Sequence, residues 1–134
     1  MLGLAAQFVR PARRNPPVTG DLPAPADVHQ LLRRACYDCH SRETVWPWYA
    51  SIAPVSWLVA HDVDEGREKL DFSIWDTLGP GKRTKKLRES AKEVEEGEMP
   101  PWQYRLVHPE ARLSEAERAQ LLAWFATETP PAAP

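Results

Sequence analysis

Cys36-Tyr37-Asp38-Cys39-His40 contains both cysteines of a 134-residue chain, set three positions apart and followed at once by histidine. On a helical turn, two thiols at this spacing lie on one side, and each can add to a vinyl group of a haem. The adjacent imidazole then comes under the iron as an axial ligand. A dithiol of the thioredoxin kind would need a strand before the first cysteine and an alternating α/β pattern after it, and neither is readable. A zinc site would need four ligands at workable spacing, yet only His29, His61 and His108 remain. A framework of disulfides needs cysteines spread along the chain.

Reading outward from the motif predicts an all-α domain. A first helix begins after Asp27, an N-cap residue, with Val28, Leu31, Leu32, Ala35 and Cys36 on one face. A second starts near Pro54 and carries Val55, Leu58, Val59 and Val63 at helical spacing, with Gly66 weakening or ending it. A third spans about Thr84 to Glu96, with Leu87, Ala91 and Val94 inward and Gly97 as the stop. The fourth opens on the capping box Ser114-Glu115-Ala116-Glu117 and presents Leu121, Leu122, Trp124 and Phe125. The loops between are long and rich in Trp and Pro, and long loops in a small domain need something to pack against. Six tryptophans and a flat apolar cofactor supply it.

The chain carries 17 basic and 19 acidic residues, a net charge of -2, so no global field draws it to nucleic acid or anionic lipid. Its 14 prolines gather largely at Pro11–Pro25 and Pro130–Pro134, which read as extended tails outside the core. The expected organisation is an extended N-terminal segment over 1–26, a haem-binding domain over 27–126 and a Pro/Ala-rich tail over 127–134. The apolar stretch Met1 to Val9 is too short to span a bilayer and lacks the plan of a secretion signal. One reading makes it the remnant of a membrane anchor.

The sixth iron position has two candidates. Met99, in Gly97-Glu98-Met99-Pro100-Pro101, stands between the third and fourth helices, where a thioether would favour reduced iron. A core gap-filler is its plainer role. His61, on the second helix, would give bis-histidine haem, or else bond to a propionate or to backbone. The run Trp46-Pro47-Trp48-Tyr49, together with Trp57, is a candidate wall for the haem edge or ordinary core. Arg67 is a candidate propionate partner, with a solvated role as the alternative. His29 and His108 read as surface or capping residues. Lys82, Arg83, Lys85, Lys86 and Arg88 form the one dense basic cluster, able to steer an acidic redox partner or simply to solvate a helix face.

Taken together, Cys36-Tyr37-Asp38-Cys39-His40-Ser41, Thr44, Pro47-Trp48-Tyr49, Ile52-Ala53-Pro54-Val55-Ser56-Trp57, His61, Gly66-Arg67, Leu70-Asp71-Phe72-Ser73, Gly97-Glu98-Met99-Pro100-Pro101, Tyr104, His108-Pro109, Leu113-Ser114 and Trp124 resemble the bacterial haem-binding domain family of c-type cytochromes. The resemblance covers about residues 27 to 125 and departs at Asp71, where the family usually shows Asn. It implies a small cytochrome-c-like helical domain around one covalent haem c, thioether links at Cys36 and Cys39, axial His40 and Met99 as the second ligand. It also implies export across the inner membrane, often behind an N-terminal membrane segment.

The expected function is therefore single-electron transfer at an exposed haem edge, not enzymatic catalysis. The expected location is the periplasm or the outer face of the inner membrane, with a redox partner protein, no nucleic acid and an N-terminal membrane tether as an option. The rival function is a haem sensor or peroxidase-like module with an open or displaceable sixth site and His61 or Trp57 as a distal residue.

Overall fold

A computed structural model describes residues 2–131. It is all-α, and among the described residues the only β pairing is an isolated bridge between Gly20 and Ile74. The helices are α1 (Leu2–Ala6), α2 (Ala26–Ala35), α3 (Tyr37–His40), α4 (Val55–Lys69), α5 (Pro80–Glu95), α6 (Trp102–Val107) and α7 (Glu115–Glu128). Single 3-10 turns at Trp48–Ser51, Trp75–Thr77 and Pro109–Ala111 shape the connections.

The core lies where α2, α5 and α7 meet. Leu31 and Leu32 of α2, Leu87 and Val94 of α5, and Leu121 and Phe125 of α7 are buried together, with Tyr37, Phe72 and Trp75 closing one side. These are the apolar stripes expected from helical periodicity. The capping box of α7 forms as its residues dictate: Ser114 Oγ accepts from Glu117 N, and Glu117 Oε1 accepts from Ser114 N.

Several boundaries differ from the sequence expectation. The first helix starts two residues earlier, at Ala26, with Asp27 inside its first turn. The third starts at Pro80, whose fixed φ suits a first helical turn. The second runs through Gly66 to Lys69, so that glycine ends nothing. Residues 127 and 128 belong to α7, and of the tail 127–134 the last three residues lie outside the described ones, as does Met1.

The N-terminal segment is no loose tail. Thr19 N and Gly20 N donate to Ser73 O, Leu22 N to Phe72 O, and Leu22 is buried in the core. Further upstream, Gln7 pairs through its amide with both the N–H and the C=O of Ala53. Prolines remove donors along this strap, and side-chain and carbonyl contacts hold it instead. No helix among the described residues is long and apolar enough to cross a membrane.

Candidate functional site

The C-x-x-C-H motif sits at a break between two helices. Cys36 caps α2 through its N–H to Leu32 O, and its backbone then turns the chain into the short α3. Tyr37 anchors the break from inside. Its ring stacks on Phe72 with centroids 5.5 Å apart, and its hydroxyl donates to Asp21 Oδ1 at 2.6 Å. His29 joins this cluster rather than lying free on the surface: Arg33 Nε donates to its Nδ1, so Nε2–H faces Asp21 Oδ2 at 2.7 Å. Asp38 receives Val45 N on one oxygen and the Tyr104 hydroxyl on the other, tying α6 to the motif.

His40 is oriented by α4. Its Nδ1 lies 2.9 Å from Gly66 O and 3.1 Å from Leu70 O, two carbonyls that only accept. Nδ1 therefore carries the hydrogen, and the lone pair resides on Nε2, which has no protein hydrogen-bond partner among the described residues. This is the tautomer a metal-bound imidazole needs, fixed by backbone carbonyls. Burial lowers the His40 pKa and so favours the neutral ring. Gly66 is obligatory for this approach, because a Cβ there would stand 2.5 Å from Cys39 O.

Cys36 and Cys39 form no disulfide with each other. Burial, and then the neighbouring Cys39, push the Cys36 thiol up to about 12; burial, then Asp38 and Asp62, push Cys39 up to about 11.

A cavity of about 380 Å3 opens beside the motif, within the roughly 300–1,000 Å3 usual for cofactor sites. Cys36, His40 and Met99 all line it, with Leu70, Phe72, Val94 and Phe125 as apolar walls. Met99 reaches the cavity because Gly97, at φ 76°, turns the chain out of α5, and the Glu98 and Met99 N–H groups both bond to Glu93 O. The residues present suit a haem: a thiol at the edge, a half-buried imidazole with its Nε2 unpartnered, a thioether from a separate loop and flat apolar walls.

Other candidates lie elsewhere. His61 is exposed and faces Glu65 at 3.3 Å. It sits five residues before Gly66, about 140° round the helix from the face that meets the motif. Trp57 is further back on α4 and donates to Val9 O. Trp48 is 77% exposed, and Tyr49 bonds to His108 Nε2 instead of facing the cavity. Tyr49 thus packs against the end of α6 and Trp57 against the N-terminal segment, which leaves the walls to residues near Leu70 and Val94. Arg67 is spent on other partners: it donates to two backbone carbonyls, Ser41 O and Arg14 O, and to the side chains of Asn15 at Oδ1 and Thr44 at Oγ1. His108 is half-buried between Tyr49 and Glu110 and is the C-cap of α6, the capping half of its expected role.

Sequence reasoning missed Leu70, Phe72, Ser90, Glu93 and Phe125 as cavity residues. Phe125 carried a signal on the apolar stripe of its helix, and Leu70 and Phe72 stood only among the residues of the family resemblance, with no role attached. Within the basic cluster, Arg83 turns inward to Trp75 O and Lys86 to Lys69 O, which leaves Lys82, Lys85 and Arg88 exposed. Asp71 forms a buried pair with Arg42 at 2.8 Å and also accepts from Ser73 N.

A family model described as a haem-binding domain matches residues 1–127. Searches of curated proteins and of solved structures gave no match.

Proposed function

Because the chain belongs to the haem-binding domain family, we propose that it is a monohaem c-type cytochrome that passes single electrons at the edge of a covalently held haem. The observation carrying this reading is the His40 ring, its Nδ1 committed to two α4 carbonyls and its Nε2 left unpartnered, on the same cavity as Cys36 and Met99. Cys36 and Cys39 supply the thioether links, His40 the fifth ligand and Met99 the sixth. When bound, the haem supplies a one-electron iron couple. Leu70, Phe72, Val94 and Phe125 exclude water from its faces, which limits reorganisation around a changing charge.

Lys82, Lys85 and Arg88 form the surface for an acidic redox partner, on the solvent side of α5, with Arg83 and Lys86 bending inward beside them. Covalent haem attachment operates outside the cytoplasm, so the protein works in the periplasm or on the outer face of the inner membrane. The apolar N-terminal residues offer a membrane tether there.

Absorption spectra of protein matured with haem test the core of the proposal. The pigment should resist acid-acetone extraction, and the oxidised protein should show a sulfur-to-iron charge-transfer band that Met99→Ala removes. Extractable pigment would overturn covalent attachment, and a band that survives Met99→Ala would overturn methionine ligation.

One observation favours a second reading, a sensor or peroxidase-like module. Met99 is 39% exposed, and Ser90 and Glu93 give its side of the cavity a polar lining. A displaceable thioether would then open the sixth site. Rapid carbon monoxide binding by the reduced wild type would select this reading, and slow or absent binding would reject it.

A further inference from the structure

We infer that the ammonium groups of Lys69 and Lys86 hold the two propionate carboxylates of the haem, the role that sequence alone offers to Arg67. The inference rests on the haem-binding reading and adds to it the orientation of the cofactor. A haem carries two carboxylates on the edge away from its vinyl groups, and carboxylates against a low-dielectric cavity need cations or hydrogen-bond donors. Once Cys36 and Cys39 take the vinyl edge, the propionate edge must meet whatever polar wall remains.

That wall belongs to the end of α4 and one stripe of α5. Lys86, Glu89, Ser90, Glu93 and Val94 line the cavity along about 12 Å of helix, with Lys69 beside them. The wall is graded. Its far end is Val94 with the Met99 loop, and its near end holds both lysines. Lys86 Nζ donates to the backbone carbonyl of Lys69, so the Lys86 ammonium sits at the end of α4, on the stretch of rim that Lys69 also lines. Lys69 Nζ also meets Glu65 at 3.3 Å. An ammonium has three donors, so both lysines keep donors free for carboxylate oxygens. The acids on this wall are accounted for in part by geometry: Glu89 is drawn toward Lys85 at 3.9 Å, and Glu93 lies a turn further on, beside the Met99 loop. Arg67 does not compete, being held by the Ser41–Thr44 loop and the N-terminal strap. Among the described residues that line the cavity, Lys69 and Lys86 are the only lysines or arginines.

The test uses the full chain matured with haem, and variants Lys69→Gln, Lys86→Gln and the double. Covalent haem is counted by the pyridine haemochrome spectrum, and the midpoint potential is measured at fixed pH and ionic strength. A lost positive charge at the propionates favours oxidised iron, so the double variant should weaken reduction about tenfold, 59 mV lower for a one-electron couple. Each single variant should move part of that way. Lys69→Arg with Lys86→Arg should restore the wild-type potential, and Lys92→Gln, on the exposed face of α5 against Glu96, should not change it. Haem-loaded single or double variants at the wild-type potential overturn the inference. A wild type that takes up no haem would instead overturn the haem reading, and the haemochrome count separates the two. Should the double variant fail to mature, the single variants still decide.

Discussion

At Gly66 the helix backbone touches the carbonyl of Cys39, and one hydrogen atom is all that the site admits. Gly66→Ala should cost about 1–3 kcal/mol by overpacking, and it should push apart the carbonyl and imidazole that fix the His40 tautomer. Urea denaturation checks the first effect and the yield of haem-loaded protein the second; an alanine variant with unchanged midpoint and yield would remove the close approach from the account. Asp71 makes a second residue-scale case. Its carboxylate is buried against Arg42 and Ser73 N, so Asp71→Ala strands both partners and should cost about 2–4 kcal/mol. Asp71→Asn keeps one acceptor oxygen, so it still serves one of the two donors and should cost less than Asp71→Ala. Equal losses for the two variants would mean that charge, not hydrogen bonding, decides the position.

At the scale of elements, α7 organises the molecule, crossing α5 along Leu121 and Phe125 and reaching α2 through Arg34 and Glu117. Leu121 is fully buried, and Leu121→Ala should lose about 2–5 kcal/mol in a chemical denaturation curve. The start of the same helix has a pH signature. The hydrogen bond from Arg34, and then that from Ser114 N, hold the Glu117 carboxyl at about 2, below its ordinary 4.5. A depressed carboxyl contributes stability above its unfolded value, and that contribution disappears as pH falls from 4.5 toward 2. Glu117→Gln should therefore flatten part of the acid side of the stability profile and leave its alkaline side parallel to wild type. Identical acid limbs would show that the pairing carries no stability. These elements were legible in the sequence because capping residues and 3.6-residue stripes are local signals. Gly66 was misread because a glycine that breaks a helix and a glycine that admits a neighbour look alike in one dimension. The polar stripe Lys86, Ser90 and Glu93 was readable as a face, but polarity argues for solvent until a cofactor cavity is known to lie against it.

For the molecule as a whole, the N-terminal strap is what local signals could least reveal. Its prolines suppress helix and sheet, and its partners at Ala53, Ser73 and Arg67 lie tens of residues away. Arg67 is the rivet, joining the strap at Arg14 and Asn15 to the loop at Ser41 and Thr44. Arg67→Ala should release that stretch, costing about 1–3 kcal/mol, and trypsin should then cut at Arg13 or Arg14 well before the rest of the chain. Unchanged cleavage rates would mean that the Leu22 end holds the strap unaided. The candidate site divides in the same way. The motif and the methionine were legible as short words, while the walls and the lysine rim emerge only when α4, α5 and α7 are folded together.

The seat of His40 has a consequence for how the chain is born. Gly66 follows His40 by 26 residues and Leu70 by 30. On the ribosome the imidazole therefore emerges before either of its oxygen partners, free to exchange its hydrogen between both nitrogens. A synthetic pentapeptide with the same five letters would share that freedom, carrying the imidazole but not the instruction that aims it.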